Sequence, residues 1–261
     1  MKKLSILFII LFFAIQTDAQ SIHRSVIGSA GNVSISGNLE LSSTIGETFT
    51  QTLSSSTHKI TQGFQQGKKT DSTNLYLLLY LQGYYSYGYS MQSTLYNQGR
   101  SNDQSITDTI TVELHPASNP AIISAQVKTI LNTNTNANCM MHVDNGNYYI
   151  VIKHRNHAET WSANPVSFNG TFAYYDFTWS ASQAYGNNLV EIEPGYFALY
   201  AGDLNQDENV DLIDIGILEN DINNFAFGYY TTDINGDGNV DLLDAAPVEA
   251  NVNGFIFSNH P

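Results

Sequence analysis

The sequence predicts a mainly β protein, an antiparallel β-sandwich followed by a small α-helical module at the C-terminus. Three observations lead there. Between residues 75 and 199, short stretches of strand-type residues recur between turn residues, with no strand–helix–strand succession. After about Tyr200 the apolar period becomes helical, and residues 203–227 recur as 233–257 at an offset of 30, with 12 identities in 25 positions. Charge divides along the chain as well: all lysines and arginines lie at or before Arg155, while the part from Asn156 onward carries 16 acids and no base.

The elements follow in order. Lys2 and Lys3 precede an apolar run from Leu4 to Ile15 and the small-residue stretch Thr17-Asp18-Ala19. Residues 1–19 therefore read as a signal peptide cleaved near Ala19, which makes the mature protein secreted or cell-surface. The run of 12 is too short to span a bilayer, and no later stretch is apolar enough, so no membrane span is expected. Residues 20–66 are rich in Ser, Thr and Gly with short alternating stretches such as Val33-Ser34-Ile35, and read as a small β unit. Residues 67–74, without an apolar side chain, read as a linker.

The sandwich is assigned to 75–199. Its first run, LYLLLYLQGYY from Leu75, is too continuous for a half-exposed strand and is expected at the centre of a sheet. Ile110-Thr111-Val112-Glu113-Leu114 alternates cleanly, and Tyr148 to Lys153 is β-branched and aromatic. Asn132 to Asn138 reads as a turn, and Asn145-Gly146 as a hairpin turn. The spacing suits an immunoglobulin-like or transthyretin-like sandwich. Cys139 is the sole cysteine, without an intramolecular partner, and is expected to act as a small buried hydrophobe.

The composition limits the partners. Ten bases against 24 acids give a charge of −14, with only 13% of residues charged, where roughly 25% is usual. A chain so poor in cations cannot displace the counterions of a polyanion, which excludes nucleic acid and anionic lipid as main ligands. The acidity is concentrated: eight of the 16 C-terminal acids are Asp within the two repeats.

Those repeats, DLNQDENVDLID (Asp203 to Asp214) and DINGDGNVDLLD (Asp233 to Asp244), place side-chain oxygens at positions 1, 3, 5, 9 and 12. This is the spacing with which a 12-residue loop can curl around Ca²⁺, a hard cation taking six to eight oxygens. The expected ligands are Asp203, Asn205, Asp207 and Asp214, with the carbonyl of Asn209 and Asp211 direct or through water. In the second loop they are Asp233, Asn235, Asp237 and Asp244, with the carbonyl of Asn239 and Asp241. Two Ca²⁺ ions are therefore expected. Position 6 of such a loop turns sharply; the second loop has Gly238 there and the first Glu208, so the first site is expected to be the weaker. After each loop an apolar stripe at helical spacing, Leu212, Ile215, Leu218, Ile222 and Phe225, then Val248, Val252 and Phe255, is expected to form core between two packed helices. Pro247 is expected to kink the second helix or delay its start.

On DxNxDxNVDLxD in both copies, the segment from Tyr200 to Pro261 resembles the dockerin module of type I. The resemblance implies calcium binding, a protein partner of the cohesin kind, and attachment of secreted polysaccharide-degrading enzymes to scaffolds. It also implies partner recognition at loop positions 10 and 11, here Leu212-Ile213 and Leu242-Leu243. Hydroxyl residues are common there in the family and basic ones often follow in the helix; this chain has neither.

An alternative of another class is a small polysaccharide-active enzyme or a carbohydrate-binding protein, with its site on the sandwich around His154, His157 and Trp161. No catalytic constellation supports it: GxSxG, HExxH, a Walker loop and a dinucleotide fingerprint are all missing from the sequence. His154 continues the face of Ile150 and Ile152. Residues three apart on a strand face opposite sides, so the two imidazoles are not expected to meet without a turn, and His154 is expected to be partly buried and structural. Trp161, Trp179 and the run Tyr84-Tyr85-Ser86-Tyr87 are expected to pack in the core or at edges, a sugar-stacking platform being the alternative.

Overall fold

The computed structural model describes residues 72–261 in full, with Asp71 and four earlier strand segments as backbone. The segment read as a signal peptide, 1–19, and residues 67–70 of the segment read as a linker lie outside the described residues. The chain divides into two units, Met1–Lys69 and Thr70–Pro261. In the first unit β1 (Ala30–Ser36) pairs antiparallel with β2 (Leu39–Ile45), and β3 (Thr52–Ser54) with β4 (Lys59–Thr61).

The second unit opens with β5 (Asp71–Leu78), the short β6 (Tyr85–Ser86) and β7 (Ser90–Met91), and the one-turn α1 (Thr94–Asn97). Long strands follow: β8 (Ile106–Pro116), β9 (Ala125–Asn132), β10 (Asn136–Val143) and β11 (Gly146–His154). Shorter ones complete the sandwich: β12 (His157–Trp161), β13 (Val166–Phe168), β14 (Phe172–Asp176), β15 (Val190–Glu193) and β16 (Tyr196–Ala198).

The main sheet runs β12-β11-β8-β9-β10-β5-β14, with β13 also on β11. Only residues 169–171 separate β13 from β14, yet those strands pair near opposite ends of this path, so the sheet curls around its own core. Alternation fills that core: Leu75, Leu77 and Leu79 point inward, with Ile110, Val112 and Leu114, Cys139 and Met141, and Ile150 and Ile152. The mainly β architecture with a small helical C-terminus is the one the sequence predicts. Burial pushes the Cys139 thiol up to about 11, so it stays protonated, as a small hydrophobe.

Three expectations are corrected. Strand β5 starts at Asp71, inside the segment read as linker, because β10 on one side and β14 on the other supply ladder partners to its polar residues. The β5–β14 pairing is parallel, the exception among otherwise antiparallel main-sheet pairs. Asn145-Gly146 does not close a hairpin: β10 pairs with β5 and β9, whereas β11 pairs with β8, β12 and β13. The turn instead carries the chain across the sandwich. At the other predicted turn, 132–138, the reversal is confined to 133–135, where Thr135 takes φ +75°, and β10 is already extended from Asn136.

The C-terminal module contributes α2 (Leu212–Asn223) and α3 (Leu242–Asn253). The expected late start of the second helix is not observed, since α3 runs through Pro247 over the same 12 residues as α2. The two copies interlock. In the first loop Val210 N–H donates to the Ile256 carbonyl (2.9 Å), beyond α3; in the second, Val240 N–H donates to the Ala226 carbonyl (3.1 Å), beyond α2. Each loop is thus stitched to the tail of the other copy. Leu204 and Ile234, Val210 and Val240, and Leu218 and Val248 form the module core in matched pairs.

The apolar stripe needs correction. Leu218 and Val248 are buried, but Leu212, Phe225 and Phe255 are 74%, 86% and 84% exposed. Leu212 is the first residue of its helix and stands at the rim of a cavity it shares with Val252 near the end of α3. Phe225 and Phe255 lie past the helix ends at positive φ (+52° and +53°), which turns them outward.

Candidate metal loops and their junction with the sandwich

Each loop is built by the same local chemistry. Asp211 and Asp241 are N-caps: their carboxylates accept Ile213 N–H (2.7 Å) and Leu243 N–H (2.8 Å). Three residues on, Asp214 and Asp244 return the bond, accepting Asp211 N–H and Asp241 N–H (2.9 Å each), which completes a capping box. The other oxygen of Asp214 accepts Leu204 N–H (2.8 Å), and that of Asp244 accepts Ile234 N–H (2.7 Å). Position 12 therefore closes the loop onto position 2 and starts the helix at the same time.

Positions 3 and 5 are arranged alike. Asp207 N–H donates to Asn205 Oδ1 (3.0 Å) and Asp237 N–H to Asn235 Oδ1 (2.8 Å), and Asn209 N–H and Asn239 N–H donate back to Asp207 and Asp237 (3.0 and 2.8 Å). These Asx turns hold the backbone in the curl that a loop around one ion needs.

The electrostatics fit a hard divalent cation. Burial, then the nearby Asp214, pushes the Asp203 carboxyl up to about 7; burial also raises Asp214, and takes Asp244 up to about 6. Asp233 is raised by burial too, against the opposing effect of a hydrogen bond from Gln98. Buried carboxylates without a cation beside them carry a cost that an ion would relieve. Among the described residues no three His, Cys, Asp or Glu side chains by themselves form a group that could hold a metal. The oxygens in these loops are mixed, carboxylates with Asn amides and a backbone carbonyl, which suits Ca²⁺ better than zinc.

The surroundings of the two loops differ. Both take positive φ at positions 4 and 6: Gln206 (+59°) and Glu208 (+72°) in the first, Gly236 (+73°) and Gly238 (+93°) in the second. The glycines of the second loop also let α1 come close. A Cβ on Gly236 would meet Thr94 Oγ1, and one on Gly238 would lie 3.0 Å from the Asn97 carbonyl oxygen. Asn97 Nδ2 donates to the Gly236 carbonyl (3.0 Å), and Gln98 Nε2 donates to Asp233 Oδ2. Among the described residues no sandwich side chain donates to Asp203.

Sequence reasoning missed the polar network beneath the second loop. The turn Arg155-Asn156 closes β11 onto β12, and it brings the rings of His154 and His157 together edge-on, Nδ1 to Nδ1 at 3.0 Å. They were expected to stay apart without a turn, and the turn is present: the strand ends at His154, where the Ile152–His154 bulge shifts register. Both rings are buried, more fully than expected for His154, and burial lowers both pKa values, that of His157 strongly. Arg155 Nε donates to Asp108 Oδ2 (2.9 Å), Nη2 to the Tyr84 hydroxyl (2.5 Å) and Nη1 to the Tyr230 carbonyl. Burial pushes the Asp108 carboxyl up, but His154 and Arg155 overcome it and hold it well below the usual carboxylate range. Asn156 Nδ2 donates to the Thr231 carbonyl (2.9 Å) and the Asp233 carbonyl (3.2 Å), reaching the start of the second loop. The polar run from His154 to His157 was visible in sequence, and Tyr84 stood out only as one of an aromatic run; its partners Asp108 and Gln98 carried no signal there.

The residues of the alternative sandwich site are not presented to a polymer. Trp161 is 6% exposed, packed beside His115 with ring centroids 4.4 Å apart. Trp179 and Tyr87 are exposed, whereas Tyr84 lies inside.

Fold and loops together define a curled β-sandwich carrying a duplicated loop–helix module with calcium-type oxygen spacing. Residues 201–253 match the family model described as the dockerin type I domain. Among solved structures, one match is a chain from the crystal structure of an N-terminal interface mutant of a type II cohesin–X-dockerin complex from Acetivibrio cellulolyticus. It is 17% identical over 72% of this chain and 96% of that one, with a TM-score of 0.40. No curated protein matches the chain. Among the described residues no helix is long and apolar enough to cross a membrane.

Proposed function

We propose that this is a secreted assembly protein whose C-terminal module, ordered by two Ca²⁺ ions, captures a cohesin-type protein partner, while the sandwich serves as its rigid base. The observation that carries the reading is the pair of interlocked 12-residue loops in the segment that matches the dockerin type I model. In the first loop Asp203, Asn205, Asp207, the Asn209 carbonyl, Asp211 and Asp214 would hold one ion. In the second, Asp233, Asn235, Asp237, the Asn239 carbonyl, Asp241 and Asp244 would hold the other. The ion supplies the charge that lets these buried carboxylates ionise together.

The surface available to a partner supports the same reading. Leu212, Ile213, Leu242 and Leu243 are 59–77% exposed at the starts of both helices, where the dockerin resemblance expects recognition. Beside the first pair lies a cavity of about 440 Å³ lined by Leu212, Val252, Phe255 and Phe257. An apolar recognition pair in place of hydroxyls suits a partner with an apolar docking face. By this reading the protein takes part in extracellular polysaccharide degradation as an organiser and not as a catalyst.

The test is capture of purified cohesin domains by the intact chain, with and without chelator. A complex formed in calcium and lost on chelation is expected. Retention of the complex in chelator, or turnover of polysaccharide by the chain alone, would contradict the proposal.

A further inference from the structure

Of the side-chain amides that reach the second loop from outside the module, Gln98 is the one that touches a ligand carboxylate. Gln98, just beyond α1, is buried and lies between two charges: its Oε1 accepts from Arg155 Nη2 (3.3 Å), and its Nε2 donates to Asp233 Oδ2. The guanidinium fixes which end of the amide faces which way, because the reverse orientation would set N–H against N–H and oxygen against carboxylate. Asp233 is position 1 of the loop. Its Oδ1 accepts Gly236 N–H (2.9 Å) and its Oδ2 accepts Gly238 N–H (3.0 Å) together with the Gln98 donor. With those donors in place the carboxylate cannot rotate away from the loop centre. The duplication supplies a control within the same chain: Asp203, the equivalent residue, has Asp207 N–H at 3.2 Å from its own loop and no donor from the sandwich among the described residues.

We propose that Gln98 is a positioning residue for the ion of the second loop, so that calcium affinity at 233–244 is set partly by the β-sandwich whereas that at 203–214 is not. This rests on the calcium reading of the loops. By linkage the dependence is reciprocal: an ion in the second loop tightens the contact of α1 with the module, and an ion in the first loop does not.

The test is calcium calorimetry on the intact chain, using Asp207→Ala to silence the first loop and Asp237→Ala to silence the second. Gln98→Met keeps the length and removes the donor. In the Asp207→Ala background it is expected to weaken second-loop affinity roughly ten- to a hundredfold, the worth of a hydrogen bond to a charged group. In the Asp237→Ala background first-loop affinity is expected to stay the same, which also reports that the chain is folded. Gln98→Asn, polar but too short to reach, carries the test should Gln98→Met not fold, with loss in the same direction. A purely structural role would weaken both loops alike, and that result, or an unchanged second-loop affinity, overturns the inference while leaving the calcium reading intact. No calcium uptake by the unsubstituted chain overturns both.

Discussion

Loops 203–214 and 233–244 descend from one pattern and share their capping boxes, Asx turns and exposed apolar pairs, yet they are set in different surroundings. The first faces solvent. Its position 6, Glu208, is an exposed side chain 3.6 Å from His260, and its positive-φ positions 4 and 6 are occupied by residues with a Cβ. The second is held against α1, Gln98 and the Arg155-Asn156 turn, and both of its positive-φ positions are glycine. A glycine in such a loop can answer two demands at once. At Gly236 and Gly238 it removes backbone strain and lets α1 approach; in the first loop Ser258 N–H reaches the Glu208 carbonyl (2.7 Å) but the Gln206 and Glu208 side chains stay exposed, so side chains persist there and the strain remains.

Removing calcium from the whole chain should cost about 4 kcal/mol of stability per site at a thousandfold excess of free ion over Kd, measured by denaturant unfolding with and without chelator. An unchanged unfolding midpoint would contradict ion-dependent order in both loops.

Next comes the junction. Arg155→Met leaves the buried Asp108 without its guanidinium and the Tyr230 carbonyl without its donor; a loss of about 3–5 kcal/mol is expected, as for breaking a buried ion pair. Glu208→Ala, which removes the exposed pair with His260 at the first loop, should change stability by less than about 0.5 kcal/mol. Equal losses would remove the asymmetry.

The third contrast is with pH. In the ion-free protein Asp203 is raised to about 7 and Asp244 to about 6, both by burial first, so the folded chain holds protons that the unfolded chain releases near pH 4. These two groups therefore make the chelated protein lose stability as pH rises from about 4 to about 7, the reverse of the usual carboxylate contribution. Calcium affinity should rise over the upper part of the same window as protons cease to compete. Melting temperatures in chelator across that range check the first statement, and calorimetry in buffers of different ionisation enthalpy checks the second.

A further effect is local to the first loop. Glu208→Gly should relieve a positive-φ residue and stabilise the first loop by about 1 kcal/mol, read as tighter calcium binding at that loop.

The loops were legible in the sequence because their chemistry is written in spacing within 12 consecutive residues and then repeated. The mainly β sandwich was legible for a related reason, since alternation along single strands records which face is buried. What could not be read depends on partners distant in the chain. Whether Asn145-Gly146 closes a hairpin depends on which strands flank β10 and β11, and local turn preference is silent on that. The meeting of His154 and His157 depends on a bulge and on Asp108, 46 residues before His154. Exposure of Leu212 and Phe225 was missed because a helical stripe says which residues share a face, not where the helix begins and ends: Leu212 is its first residue and Phe225 lies past its last. Gln98 stood in no motif at all; its role follows from α1 lying against a loop more than 130 residues later.

The most direct test of the account is a calorimetric titration of the intact chain with calcium, repeated on Asp237→Ala. Two sites of unequal affinity are expected, with the tighter one missing from the variant. Two equal sites, loss of the weaker one in Asp237→Ala, or no uptake at all would contradict the account.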